Sequence, residues 1–249
     1  MYFNFDKRGL YITLVILLLL TLMNLGSFNL VSTLLTLPGV IMAISFHEFA
    51  HAFAADRLGD STPRNQGRLS LDPLKHIDPV GIFLLIFAHI GWGKPVQINT
   101  NNFSKASPSK GETIVSLAGP LMNFILAFIL MIIFYALMLF VPGAGIMLFL
   151  NQASPISIGM TMLYYAIIVN IGLGVFNLIP IPPLDGSKIF LKVLPYKAQR
   201  WIYNNMQIIS LVFLLLFISG ILGYITSPVI SVIVNGMEHL VGTIFSIFI

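Results

Sequence analysis

Residues 113–184 contain no Asp, Glu, Lys or Arg, and this uncharged stretch constrains the fold more than any other feature of the chain. About 20 apolar residues are enough for one helix to cross the hydrocarbon core of a membrane, so the stretch has room for more than one span. The whole chain is 57% hydrophobic and only 9% charged. This composition predicts an all-α polytopic membrane protein and excludes a soluble domain.

The apolar runs predict about six transmembrane helices, at residues 10–26, 30–55, 113–141, 156–179, 203–223 and 229–249. The basic residues cluster before the first run, between the second and third, and between the fourth and fifth. Positively charged loops stay on the cytoplasmic side, so we expect both termini there. The net charge of +4 therefore indicates membrane orientation and no nucleic-acid binding, and the absence of cysteine excludes disulfides and thiolate ligands.

The cytoplasmic loop of residues 57–110 contains two elements of its own. Residues 80–88 are apolar but too few to span a membrane, which indicates a re-entrant or interfacial segment. Residues 92–99 alternate in polarity and predict a short strand or β-hairpin arm. As a hypothesis, this arm pairs with an unwound substrate as an added strand.

A metal-ligand motif lies near the end of the second predicted helix, where His47, Glu48 and His51 form H-E-x-x-H. Residues four apart leave a helix on the same face, so both imidazoles can reach one Zn²⁺ at about 2.0–2.1 Å. Glu48 projects towards the water position of such a metal and can accept a proton from that water. Ionisable groups within a membrane segment are costly, which favours a metal site over buried histidines that bond to carbonyls.

A catalytic zinc needs a third protein ligand, and the candidates are Asp185, His76, His89, His239, Asp56 and Glu238. Asp185 is preferred, because three prolines interrupt the helix before it and Gly186 permits a sharp turn. Irregular backbone at membrane depth is tolerated where it lines a cavity. The alternative is a turn aspartate that binds its own backbone. The predicted topology places Asp185 at the same depth as H-E-x-x-H, which favours a shared site.

These motifs resemble those of site-2 protease-type intramembrane zinc metalloproteases. The resemblance rests on five segments in the order of the family: HEFAH (47–51), GRLSLDPLKHIDP (67–79), GWGKPV (91–96), AGPLMN (118–123) and FNLIPIPPLDG (176–186). The second and third are similar to the compact bacterial subgroup, and we expect neither a PDZ nor a CBS domain. Asp72 stands where the pattern of the subgroup predicts Asn.

The resemblance implies that His47, His51 and Asp185 bind one catalytic zinc and that Glu48 is the general base. It also makes Asn123, in the fourth segment, a candidate for substrate or oxyanion contacts. His76 is a second candidate for such contacts from its place in the polar loop, and its alternative is a loop histidine at the membrane interface.

The family further implies a single integral-membrane metalloprotease domain over residues 1–249, with its core at residues 30–200. It implies a multi-pass protein of a bacterial cell membrane that cuts transmembrane proteins or peptides near the cytoplasmic face. The alternatives are a metal-binding membrane transporter and a proteolytically inactive homologue. Transporters usually have repeated halves, and neither metal motif occurs twice in this chain.

Overall fold

The computed structural model describes residues 29–88, 91–144 and 154–248. These residues form nine α-helices: α1 Leu30–Leu58, α2 Thr62–Asn65, α3 Pro79–Ala88, α4 Pro108–Phe140, α5 Pro155–Asn177, α6 Asp185–Phe190, α7 Tyr196–Asn204, α8 Met206–Ile218 and α9 Ile221–Phe245. Short 3-10 turns occur at Pro73–Lys75, Thr100–Asn102, Leu191–Val193 and Ser246–Phe248. The described part of the chain contains no β-strand, which confirms the all-α class.

Four of these helices, α1, α4, α5 and α9, are long and apolar enough to cross a membrane. A fifth span exists if α7 and α8, which meet at an angle of 76°, are taken as one broken span. The span predicted at residues 10–26 lies outside the described residues. The chain is therefore an integral membrane protein with several spans, and the number six stays a prediction.

Helix α1, which contains the H-E-x-x-H motif, has well-defined ends. The side chain of Asn29 accepts a hydrogen bond from the Ser32 N–H and caps the first turn. Gly59 ends the helix with φ 112°, a left-handed conformation that glycine adopts without a steric penalty. Its N–H binds the carbonyls of Ala55 and Asp56. Gly59 therefore marks the end of α1.

The sequence predicts a break between the last two spans at residues 224–228, next to Pro228, and this prediction is wrong. The chain instead turns at Gly220, which has φ 76°, and α9 then runs through Pro228. Just before the proline, the hydroxyls of Thr226 and Ser227 donate to carbonyls one turn earlier, including that of Gly223. Prolines are tolerated within membrane helices, where neighbouring groups compensate for the missing N–H.

The metal motif is carried by a tight three-helix core of α1, α4 and α5. Small residues line its contacts, and Ala43, Ala52 and Ala127 are fully buried. A Cβ on Gly39 would lie 2.7 Å from the Cα of Ala166, so α1 and α5 approach as closely as their backbones allow. Small residues promote this kind of packing in membranes, where lipid offers no hydrophobic force between helices.

The loop between α1 and α4 differs from its prediction in one respect. The apolar residues 80–88 lie in α3, whose 10 residues extend about 15 Å, half of the hydrocarbon thickness. The predicted strand at residues 92–99 is not formed, and a single antiparallel bridge joins Ile77 and Gly93. One reason is Pro95, which has no N–H to give to a partner strand. We call residues 92–99 the arm.

Candidate metal centre

Three predicted ligands meet at one buried point. His47 and His51 project from α1, and Asp185 is the first residue of α6. The two Nε2 atoms are 3.0 Å apart, and Asp185 Oδ2 lies 3.2 Å from Nε2 of His47 and 3.0 Å from Nε2 of His51. The same-face prediction for the two histidines and the choice of Asp185 as their partner are consistent with this cluster.

Hydrogen bonds on the far side of each imidazole fix its tautomer. Nδ1 of His47 is 2.6 Å from Oδ1 of Asn123, and Nδ1 of His51 is 2.7 Å from the carbonyl oxygen of Val115. A carbonyl oxygen only accepts, so each Nδ1 carries the hydrogen and each Nε2 turns a lone pair to the centre. Metal-binding histidines are oriented in the same way in most proteins.

This donor set fits zinc. Two imidazole lone pairs and a carboxylate oxygen converge, and they repel one another unless a cation lies between them. Tetrahedral ligands at about 2.0–2.1 Å from zinc are about 3.3 Å apart, close to the observed separations. Three protein ligands also leave the fourth position open, as a catalytic zinc requires.

Asn123 belongs to a buried amide chain behind His47. Its side chain is fully buried, and its Nδ2 donates to the carbonyl of Ala43 at 3.1 Å and to Oδ1 of Asn170 at 3.0 Å. Asn170 in turn donates to the carbonyl of Ala166 in its own helix. Every polar atom of Asn123 therefore faces protein, and this position does not support the substrate or oxyanion contact expected from its motif.

Gly119 is a site residue that the analysis of the sequence missed. It lies on α4 against the two imidazoles, and a Cβ there would be 2.5 Å from Nε2 of His51 and 2.6 Å from Cε1 of His47. No side chain fits in that space. The only sequence signal was its place beside Pro120 in the AGPLMN segment.

The arm reaches the site through Glu48. The N–H of Val96 donates to Oε2 of Glu48 at 2.9 Å, which orients the carboxylate beside the ligands. The arm is fixed at its start by Lys94, whose N–H donates to the His76 carbonyl at 2.7 Å. At its end, the Asn99 N–H donates to the fully buried Asp60 at 2.7 Å. The arm therefore forms one wall of the site although it is not a strand.

Asp60 is held as a charged group just beyond the end of α1. Burial alone would raise the pKa of its carboxyl, but hydrogen bonds from Thr62, Asn99 and Asn102 outweigh that effect and lower the pKa below its usual value. A carboxylate with several donors stays ionised in spite of burial.

A cleft of about 230 Å³ opens beside the metal ligands. Its walls come from the arm, from the 3-10 turn that follows it, from the first turns of α4 and from α6, through Val96, Ile98, Thr100, Glu112, Val115, Ser116 and Lys188. Val96 contacts the predicted base, Val115 contacts a histidine ligand, and Lys188 contacts Asp185. A peptide in this cleft would therefore lie next to the reacting groups.

The remaining candidates lie apart from the cluster. His76 is fully buried and its Nε2 is 2.6 Å from the Ser70 carbonyl. Asp56, near the end of α1, pairs with Arg64 through two bonds of 2.6 and 2.8 Å. His239 is exposed on α9 beside Glu238, and His89 lies outside the described residues. Within the described ranges, no second group of potential ligands is formed.

Two helical histidines, a carboxylate from another helix and a glutamate beside the first histidine define a metal-dependent hydrolase centre within a membrane protein. The chain belongs to peptidase family M50, whose family model matches residues 35–221. It is accordingly a zinc metalloprotease.

Relatives carry corresponding names. "Putative zinc metalloprotease YwhC" of Bacillus subtilis is 33% identical over 207 residues, which cover 83% of this chain and 90% of that protein. "Putative zinc metalloprotease Rip2" of Mycolicibacterium smegmatis is 33% identical over 174 residues, covering 67% of this chain and 60% of that protein. Rip2 of Mycobacterium tuberculosis is 30% identical over 191 residues, covering 74% and 67%. No solved structure matches the chain.

Proposed function

We propose that this metalloprotease hydrolyses peptide bonds of membrane-embedded substrates near the cytoplasmic face, in a bacterial cell membrane. His47, His51 and Asp185 hold one zinc ion, and Glu48 is the general base. The observation that carries the proposal is the convergence of three buried ligand atoms beside Glu48, two of them on α1, a helix long enough to span a membrane. Polar groups at such depth are functional by default.

The proposed side of the membrane follows from charge. The histidines lie in the last turns of α1, and the chain that continues from there through residue 110 carries seven of the thirteen basic residues. Asp185 opens α6, directly before the basic residues of 188–200. Both approaches to the site are therefore on the basic, cytoplasmic side, from which water can reach it.

The reaction needs a base, an oriented metal site and a peptide that exposes its carbonyl. When bound, zinc supplies a Lewis acid that makes water nucleophilic near neutral pH and polarises the scissile carbonyl. Glu48 takes the proton of the attacking water and delivers it to the leaving amine. The Val96 N–H holds the Glu48 carboxylate in place while it does so. Asn123 and Val115 act through the imidazoles that they orient.

The substrate must be extended where it is cut. A transmembrane helix hides its carbonyls in hydrogen bonds, so it has to unwind before it can enter the cleft beside the arm. The arm contributes backbone along one wall of that cleft, and an extended peptide can bind there by main-chain hydrogen bonds. His76 supports the arm through its carbonyl bond to Lys94, without contacting the substrate.

One variant tests the proposal against a transporter or an inactive homologue. Glu48→Gln keeps the shape of the side chain but removes its basicity. We expect full zinc content and a loss of at least about 10²–10⁴-fold in cleavage of single-span peptides in proteoliposomes. The matched control is Glu238→Gln on α9, which should keep both zinc and cleavage. Wild-type cleavage by Glu48→Gln would overturn the mechanism, and no chelator-sensitive cleavage by the wild type would overturn the function.

Reporter tags test the proposed topology. Tags at the N-terminus, at Lys105 and at Lys192 should be cytoplasmic, and a tag at Gly145 should be external. A cytoplasmic Gly145 would put the metal ligands of α1 and α6 on opposite sides of the membrane and contradict the proposal.

A further inference from the structure

The two oxygens of Asp185 have different partners. Oδ2 faces Nε2 of both histidine ligands, whereas Oδ1 accepts a hydrogen bond from Nζ of Lys188 at 3.1 Å. The side chain of Asp185 is 11% exposed and that of Lys188 is 44% exposed. A carboxylate has two equivalent oxygens, so this division is imposed by the surroundings of Asp185.

We propose that Lys188 is a positioning residue of the metal centre, which holds Asp185 Oδ1 so that Asp185 gives the metal only Oδ2. The inference rests on the ligand set of the proposed function. It adds to that set a residue that touches no reacting atom and acts through Asp185.

The short helix α6 brings Asp185 and Lys188 together. Asp185 is its first residue, and Lys188 is three residues later, so both side chains leave the same face of the helix. The irregular backbone before Asp185 fixes where α6 begins. The next lysine, Lys192, lies one turn further along and pairs with Glu112 at 3.1 Å instead. Among the described residues, Lys188 is therefore the only lysine whose ammonium group binds a predicted metal ligand.

The position of Asp185 Oδ1 matters for metal coordination. A carboxylate that turned both oxygens to the metal would raise the coordination number and crowd the open position that substrate and water need. A strong donor on Oδ1 opposes that rotation. Groups that hydrogen-bond to metal ligands commonly affect metal affinity by about 10–100-fold. A simple surface ion pair would affect it hardly at all, because exposed pairs contribute little.

The experiment compares Lys188→Met, Lys188→Arg and the matched control Lys192→Met in the full-length protein. Zinc affinity is measured by competition with a chromophoric chelator, and coordination by the visible absorption of the Co²⁺-substituted protein. Lys188→Met should bind zinc about 10–100-fold more weakly and give a weaker Co²⁺ spectrum, as expected for a higher coordination number. Lys188→Arg keeps a donor and should recover most of both, and Lys192→Met should match the wild type.

Metal readouts are needed because Lys188 also lines the cleft, so a loss of cleavage alone would not identify its role. Wild-type zinc affinity and Co²⁺ spectrum in Lys188→Met would overturn the inference and leave the proposed function intact. Full zinc content in Asp185→Ala would instead overturn the ligand set itself. If Lys188→Met does not fold, Lys188→Ala, which also removes the donor, is measured against the same two criteria.

Discussion

The metal centre has two sides that are built differently. On the helical side, each imidazole is held by a buried acceptor on α4, namely Asn123, which is 0% exposed, or Val115, which is 2% exposed. On the loop side, Glu48 is held by the N–H of Val96 in the arm. The geometry of the two imidazole ligands therefore depends on buried helix packing, and the orientation of Glu48 depends on a segment that water and substrate can reach.

The difference has an energetic side. Helices α1, α4 and α5 satisfy their backbone hydrogen bonds within themselves and pack closely against one another. A substitution there therefore disturbs close packing. The arm is held by a few bonds to His76, Glu48 and Asp60. Segments with few such bonds open at lower cost. We therefore expect changes on the helical side to remove the metal, and changes on the loop side to reduce cleavage while zinc stays bound.

The largest effect should come from Gly119→Ala on the helical side. The added methyl group would lie within 2.7 Å of both imidazoles, so α4 and the metal ligands cannot keep their positions together. We expect the purified protein to lose zinc by more than about 100-fold in affinity, and cleavage with it. Elemental analysis and chelator competition measure this directly.

A matched glycine controls for that substitution. A Cβ on Gly159 in α5 meets nothing within 4 Å, so Gly159→Ala should leave zinc and cleavage unchanged. Normal zinc affinity in Gly119→Ala would show that the helical side is more adaptable than its packing indicates.

A smaller loss of metal is expected from Asn123→Ala. His47 would keep its packing but lose the acceptor for its Nδ1–H, and its ring could rotate. Zinc affinity should fall about 10–100-fold. The control is Asn177→Ala, because that amide donates to a carbonyl of its own helix, at Leu173. If both variants bind zinc like the wild type, Asn123 does not orient the ligand.

The ligand cluster was predictable from the sequence because its geometry is mostly local. An i, i+4 pair on a helix fixes His47 and His51 on one face, and the proline-rich break marks Asp185. Gly119 was not predicted, since its contact with the imidazoles depends on how α4 docks against α1. No local pattern records that docking.

The errors in the fold have a similar cause. Gly220 and Pro228 are both local signals for a break, and the chain turns at Gly220 while α9 continues through Pro228. The alternation of the arm is real, but its N–H groups bond to a loop carbonyl and to side chains instead of a second strand. Alternation predicts an extended segment and cannot supply its partner.

On the loop side, Asp60→Asn should reduce cleavage and leave zinc bound. The substitution weakens the acceptor for the Asn99 N–H, which anchors the end of the arm. One charge-assisted hydrogen bond contributes about 1.5 kcal/mol, so we expect about a tenfold lower kcat/KM. Asp72→Asn, which changes an exposed cap of the Pro73–Lys75 turn, is the control. A loss of zinc in Asp60→Asn would mean that the two sides are not separable.

The smallest effect is a pH dependence of stability that Asp60 contributes. Hydrogen bonds lower the pKa of its carboxyl in the folded protein, in spite of burial, which acts in the opposite direction. The charged form is therefore favoured by folding, and its contribution is fully present above the unfolded pKa of about 3.9. It is lost as the pH falls through the lower, folded pKa. The melting temperature of the wild type should exceed that of Asp60→Asn by a constant few degrees near neutral pH. The gap should close only in acid, below the unfolded pKa, where the wild type also loses the charge. A gap that closed already between pH 7 and pH 5 would assign the effect to another group, and a constant gap in acid would show that Asp60 stabilises the arm without its charge.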